Sequence, residues 1–512
     1  MRNIKIFFTA GIVILFAMAT GCTKLDEDVY DKIPVDQFGT TTKQINALVG
    51  PVYKTLKDVW NTNDYYFSIS EFTSDMAINP TRKGGDGWEG GWGKEMTQHT
   101  WTPESYIGVA FTMTYRNIGT CNKILSIVTE SNILNKEGVI AEIRGVRAYW
   151  YYMLLDYYGN VPIVTDFNDL TLPETKTRKQ VYEFVLSELN DIKDKVRSDV
   201  SSESYGKVTK GLIYTLLAKM YLNAMVWNPE GGTKWVESIN ACDTVMSLPY
   251  VLESNWKTNF AVQNQNSREI IFPVVFSAAE GGNYVAEMTL HYLDPIALGL
   301  HVSGWNMVCA MPDYVKAYDP DDKRLAWSFL AGPMLDPATG KVLITAHGRP
   351  LIHTIDITMK YAIDADGWGQ AEQEDGARIA KWEHEKGLSG SGQSENDFAI
   401  FRLADIYLMK AEALVRNGSD NNEAVRLVNE IRKRAFDDPT KLKSNVTLDD
   451  IYKERRFEFA WEMTSRQDMI RFGTYLNALP GWRQASPEKC LLFPIPTKAI
   501  DANPKLIQNP GY

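Results

Sequence analysis

The sequence predicts a mostly α-helical chain in which paired helices form a scaffold and irregular segments are inserted between the pairs. Three observations carry that reading. Apolar residues recur at the three-and-four spacing of a helix face, these stretches arrive in pairs joined by turn residues, and the intervals between pairs are rich in Gly, Asp, Pro and aromatics without a helical period. With 512 residues, 44% hydrophobic and 23% charged, the chain can bury a large core and lacks the composition of a disordered one. One large domain or two intimate ones is expected.

The first element is an address. Arg2 and Lys5 precede an apolar run from Ile6 to Met18, and the small residues Ala19, Thr20 and Gly21 lead into Cys22. The run falls well short of the roughly 20 residues needed to span a bilayer and ends at a cleavage-like site, so it reads as a lipoprotein signal peptide with Cys22 as the lipidated residue. Several acyl chains on Cys22 would tether the protein to a membrane without embedding it. Thr23, Lys24, Leu25, Asp26, Glu27 and Asp28 follow, a lysine beside three acids that is similar to the acidic export tag of surface lipoproteins in Bacteroidetes.

The helices come next. From Glu142 to Tyr158, Ile143, Val146, Trp150, Met153 and Tyr157 share one face, and Gly159, Asn160 and Pro162 stop the helix. From Val208 to Ala224 the segment is apolar almost all round, which predicts burial, and Gly211 and Ala218 permit close approach of a neighbour. The cleanest pair runs from Ala399 to Asn417, aligning Ala404, Leu408, Ala411 and Val415, and from Asn421 to Ala435, aligning Ala424, Val428, Ile431 and Ala435. Asp420 with Glu423 resembles a capping box at the start of the second helix. Between about 250 and 395 the pattern turns irregular, and Ile270 to Phe276 reads as a strand.

Charge and cysteine usage exclude several classes. A net charge of −10 with 54 basic residues dispersed among 64 acids gives no surface for nucleic acid. Beyond Cys22 the cysteines are Cys121, Cys242, Cys309 and Cys490, with no CxxC spacing, so neither a zinc site nor a dithiol redox pair is indicated and buried free thiols are expected. His384 lies in no HExxH motif, Asp364 to Gly367 form only part of a calcium loop, and no GxSxG, phosphate loop or GxGxxG is present. No catalytic residue, metal ligand or cofactor is assigned.

Helix-turn-helix units of this length, with small residues at packing positions, resemble degenerate tetratricopeptide repeats. The units fall near 41–130, 137–195, 208–247 and 399–436, closed by a helix near 448–475. Several blocks then identify the chain as similar to the SusD-like (RagB/SusD) family of outer-membrane nutrient-binding lipoproteins. Arg144 to Tyr149, with Asp156 to Pro162, resembles the family's aromatic helix broken at a YGxVP turn. Phe401 to Ile406 with Lys410 to Ala413 resembles FRxADxxLxxAEA, and Asn429, Ile431, Arg432, Arg434 and Ala435 its NxIRxRA partner. Glu454, Arg455, Arg456, Glu458, Glu462, Asp468, Ile470 and Arg471 match the ERRxE and DxIR helix, and Phe493 to Pro496 with Asn503 to Tyr512 the terminal signature. Glu454, Glu458, Arg455 and Glu462 are read as structural charge pairs, the second pairing being Arg455 with Glu462.

The resemblance implies a SusD-like fold with boundaries at 1–21 (signal peptide), 22–40 (linker), 41–250 (N-terminal repeat region, insertion 70–104) and 251–512 (insertion 251–395, helices 399–475, C-terminal tail). It also implies a cell-surface protein that binds an oligosaccharide or polysaccharide and delivers it to a SusC-like TonB-dependent transporter, held to the outer membrane by lipid alone. The residues support a glycan site in the insertions: Gly-flanked Trp88, Trp92 and Trp305 offer planar apolar faces for a sugar ring, and Arg82, Asp86, His291 and Asn306 offer polar groups for its hydroxyls. Trp101 and Trp368 read as loop anchors. The alternatives are a secreted glycoside hydrolase and a helical-repeat scaffold that binds protein.

Overall fold

The computed structural model describes residues 39–60, 66–83, 91–277, 279–358, 370–386 and 394–512. Cys22 and its tag, Asp86, Trp88, Trp368 and the partial calcium loop lie outside the described residues.

The scaffold is a run of paired helices: α1 (Thr42–Trp60), α2 (Gly108–Glu130), α3 (Lys136–Tyr157), α4 (Arg178–Ile192), α5 (Lys210–Leu222), α6 (Trp235–Met246), α7 (Leu403–Arg416), α8 (Asn421–Ala435) and α9 (Leu448–Glu458). Each packs on the next in space, and the decisive contact is α6 on α7. The chain leaves the array after α6, builds the irregular segment, and re-enters it at α7, so the long insertion is an excursion from one continuous stack. Helix α3 is buried nearly all round, carrying Tyr149, Trp150, Tyr151, Leu154 and Leu155 inside, as its aromatic density requires.

Strands are few and short. β1 (Ile270–Val274) pairs antiparallel with β2 (Phe398–Arg402). The first four residues of the helix expected from Ala399 are therefore strand. Phe398, Ala399 and Phe401 face β1 residues that are themselves fully apolar, and tertiary pairing overrides the helical period there. Asp420 caps α8 by accepting from the Glu423 backbone, but the Glu423 carboxylate turns to Lys410 and Arg426, so the box is half made.

Two buried ion networks join the layers. In one, Asp405 of α7 pairs with Lys219 of α5 (2.7 Å) and Arg455 of α9 (2.8 Å), while Arg455 also holds Asp468 (2.7 Å). In the other, Glu458 meets Arg402, Arg434 and Arg324, and Glu462 meets Arg402 and Lys381. Glu454 meets Arg324 and Arg432. Arg455 thus pairs with Asp405 and Asp468 rather than Glu462, because α9 ends at Glu458 and the turn that follows carries Glu462 over to Arg402 and Lys381. Cys121, Cys242, Cys309 and Cys490 are buried and free, and burial pushes the Cys121 thiol up to about 12. Among the described residues no helix is long and apolar enough to cross a membrane.

Candidate functional site

The irregular excursion carries an aromatic pair on a rigid wall. Residues 304–308 run along 287–291, with the Trp305 N–H donating to the Glu287 carbonyl (2.7 Å), Asn306 to Leu290 (2.9 Å), and Met307 and Val308 to Met288 (both 3.0 Å). Gly304 makes this approach possible, since a Cβ there would lie 2.2 Å from the Leu290 carbonyl oxygen. On the other side Asn306 adopts φ 54°, the left-handed region that asparagine tolerates better than most residues. Between these two constrained positions Trp305 is half-buried, and its ring stacks on that of Tyr284 with centroids 5.6 Å apart and planes 29° from parallel.

Tyr284 is positioned by its neighbour. Asn283 exchanges backbone hydrogen bonds with Ser394 (2.8 and 3.1 Å), and its side-chain oxygen accepts from the Val285 N–H (3.2 Å) at the start of the short helix Val285–Thr289. Behind the pair, Glu287 is 2% exposed, neither carboxylate oxygen has a partner among the described residues, and burial pushes its pKa up to about 8. The pair thus sets two half-buried aromatic rings, a phenol and an indole, against that wall. That combination suits a flat, hydroxyl-bearing ligand.

The structure redistributes the other residues that the sequence offers as sugar contacts. Trp92 is 6% exposed at the start of the short helix Trp92–Gln98, with Phe72 stacked at 5.6 Å and Tyr106 at 6.0 Å. Its ring faces are taken by protein rings, so it is a loop anchor and not a platform. Arg82 is fully buried and donates to four backbone carbonyls, which leaves no route to a sugar hydroxyl. His291 is 1% exposed, its Nδ1 accepting from Leu293 (3.1 Å) and its Nε2 beside Gln373 Oε1 (3.3 Å), and burial lowers its pKa to about 4. Asn306 is buried as well, its side-chain oxygen accepting from Arg378 (2.8 Å). All three are internal struts: Arg82 satisfies loop carbonyls that no helix or sheet ladder reaches, His291 accepts from a loop N–H, and Asn306 accepts from Arg378. Trp101 is buried and donates to the Tyr512 hydroxyl (2.7 Å), the loop anchor its position suggested.

Of the sequence candidates within the described residues, Trp305 alone presents a partly open ring. Its partner Tyr284 is missing from the sequence-derived set. The signal was present, because Gly281, Gly282 and Asn283 precede it much as glycines flank the tryptophans, and a phenol ring offers a planar face as an indole does. Among the described residues no group of three or more His, Cys, Asp or Glu is placed to hold a metal ion.

Comparison with known proteins shows what the chain is similar to. Residues 358–486 match the profile described as the SusD family, and residues 25–222 match one described as starch-binding, associating with the outer membrane. The chain is 26% identical over 460 residues to the starch-binding protein SusD of Bacteroides thetaiotaomicron, spanning 82% of this chain and 81% of that one. It is 24% identical over 548 aligned positions to the SusD-like protein P2 of Formosa agariphila, spanning 100% of each. Among solved structures, a SusD superfamily protein from Parabacteroides distasonis superposes with a TM-score of 0.76 at 21% identity, covering 92% of this chain and 100% of that one. Surface glycan-binding protein A from Bacteroides thetaiotaomicron, solved in complex with laminarihexaose, superposes with a TM-score of 0.74 at 21% identity, covering 92% of this chain and 100% of that one.

Proposed function

We propose, because the chain belongs to the SusD-like family, that it is a non-catalytic, cell-surface glycan-binding protein whose ligand stacks on the Trp305–Tyr284 pair. The observation that carries the reading is the pair itself: two stacked, half-buried rings on a hydrogen-bonded wall, within the excursion and not within the helix array. A core aromatic would be covered on both faces, as Trp92 is; Trp305 and Tyr284 cover one another and remain partly open.

Capture here is a matter of shape and solvent. A ring that stacks on a sugar face contributes about 1 to 2 kcal/mol through buried apolar area, so two such contacts with a few hydroxyl hydrogen bonds give affinities of about micromolar to millimolar. Weak, fast-exchanging binding serves handover better than storage. The finer reading is that the protein, tethered through lipid on Cys22, passes its oligosaccharide to a SusC-like TonB-dependent transporter in the outer membrane. The similarity to relatives associated with that membrane and the lipoprotein-type leader support this reading.

The test is affinity electrophoresis through gels containing starch, laminarin, xylan or pectin, followed by titration on the best-retained glycan. Trp305→Ala and Tyr284→Ala should each weaken binding by about tenfold with no release of reducing sugar. Retention unchanged in both variants would remove the pair as the site. Turnover of a retained polysaccharide would favour the hydrolase reading, and capture of a protein ligand without any glycan retention would favour the scaffold reading.

A further inference from the structure

We infer that Arg82 and Asn306 are positioning residues for the glycan platform, fixing the backbone on which Trp305 stands, an assignment that rests on the function proposed above. The geometry of the two is closely shared. Arg82 Nε donates to the Asn306 carbonyl (2.8 Å), while its Nη1 donates to the carbonyls of Glu372 (2.9 Å), Gln373 (3.3 Å) and Asp375 (2.8 Å). Its own backbone neighbours bridge to the same loop, Ala371 N–H to the Thr81 carbonyl and Lys83 N–H to the Ala371 carbonyl, both 2.9 Å. One side chain therefore welds residues 81–83, 371–375 and 306 together. From a second direction, Arg378 Nη2 donates to the Asn306 side-chain oxygen and to the Gln373 carbonyl, both at 2.8 Å. Both oxygens of Asn306 are thereby held by guanidinium groups, and Asn306 is the residue whose left-handed backbone directs the chain away from Trp305.

The electrostatics argue that this arrangement serves geometry more than stability. Arg82 makes no ion pair among the described residues, is fully buried, and leaves its Nη2 without a partner. Arg378 is fully buried beside it; burial first, and then the Arg82 charge, pull its pKa down to about 9. Two buried cations side by side are a cost that an apolar pair of similar volume would avoid. Local costs of this kind concentrate where a fold must hold a functional group in one orientation. A guanidinium is suited to it, because its planar fork reaches several carbonyls at fixed angles and an ammonium does not.

The experiment uses the full chain purified in detergent, the four polysaccharides named above, thermal melts, and near-ultraviolet circular dichroism to read the Trp305–Tyr284 stack, its band assigned by subtraction of the Trp305→Ala spectrum. Arg82→Met and Arg82→Lys should weaken binding by about tenfold, matching Trp305→Ala, and should diminish that same band. Asn306→Gly, which keeps access to positive φ, should bind within about threefold of wild type, whereas Asn306→Ala should lose about tenfold. A folded Arg82→Met that binds as wild type does would overturn the inference. So would loss of binding with the dichroic band intact, which would mean that Arg82 meets the glycan itself. Should Arg82→Met fail to fold, the contrast between Asn306→Gly and Asn306→Ala decides, equal binding of the two being the refuting result. If the wild-type protein retains none of the polysaccharides, the glycan reading falls, and the band alone decides whether Arg82 positions the pair.

Discussion

Glu458→Gln is expected to lower stability by about 3 kcal/mol while leaving glycan retention intact below the melting range. Glu458 is fully buried, and its carboxylate accepts from Arg402 (2.7 Å), Arg434 (2.6 Å), Arg324 (3.1 Å) and the Trp256 indole (3.0 Å). Removing one partner of a buried ion pair costs about 3 to 5 kcal/mol because the other charge is left uncompensated. Here each guanidinium keeps a second carboxylate: Glu269 and Glu462 for Arg402, Glu269 for Arg434, Asp322 and Glu454 for Arg324. That places the loss at the lower end of the range. Glutamine keeps the volume and one acceptor oxygen, so no cavity term is added. At about 2.1 cal/mol/K per residue, a chain of about 500 residues unfolds with an entropy near 1 kcal/mol/K, and the melting temperature should fall by about 3 °C. Glu458→Ala, which adds a cavity and orphans the Trp256 N–H, should fall further. Differential scanning calorimetry reads both. A Gln variant melting within 1 °C of wild type would refute the reasoning that Arg402, Arg434 and Arg324 depend on the Glu458 carboxylate.

Trp92→Ala should behave in the opposite way to Trp305→Ala, destabilising by about 3 to 5 kcal/mol as a buried ring is deleted and sparing glycan binding, as denaturant melts and affinity gels would show. Stability should peak on the acid side of neutrality. The Glu412 carboxyl, buried but held down to about 2 by Arg471 and Arg416, contributes stability that is present above about pH 4.5 and lost as pH falls toward 2. Glu71 and Glu287, pushed up to about 8 by burial, act in the reverse sense, so stability declines as pH rises from about 5 through 8. Melts from pH 3 to 9 check the dome, and Glu287→Gln should flatten its alkaline limb. Cys22→Ala should move the protein from the membrane to the soluble fraction, and mild detergent extraction of the wild-type protein should recover a β-barrel transporter with it.

The helix array was legible because its signal is local and redundant. α8 begins and ends where its apolar period and its Asp420 cap place it, and α3 begins six residues before the expected helix and ends one residue short of it. What sequence could not show is partnership across long intervals. The strand at 398–402 exists because residues 270–274, far away in sequence, lie beside it, and nothing within its own window distinguishes it from the helix that follows. The same holds for charge. Arg455 and Glu462 fall at a plausible spacing, yet the turn after α9 sends Glu462 to Arg402 and Lys381 and leaves Arg455 with two aspartates.

The site was legible as chemistry and not as exposure. Glycine-flanked aromatics do mark loops, but whether a ring in a loop faces solvent depends on what the loop packs against, and that is set by residues outside it. Trp92 and Trp305 carry the same sequence signal; Phe72 and Tyr106 stack on the first, which is buried, while the second stacks on Tyr284 and stays half-buried. The polar candidates fail for a related reason. A loop that must hold an aromatic steady has many backbone polar groups and no ladder to satisfy them, so Arg82 is drawn inward as a donor to carbonyls, His291 accepts from the Leu293 N–H and Asn306 accepts from Arg378. Polar residues beside the proposed platform tryptophan are therefore more informative about how the ring is held than about what it holds, and under the proposed function the specificity should be sought around the half-buried rings of Trp305 and Tyr284.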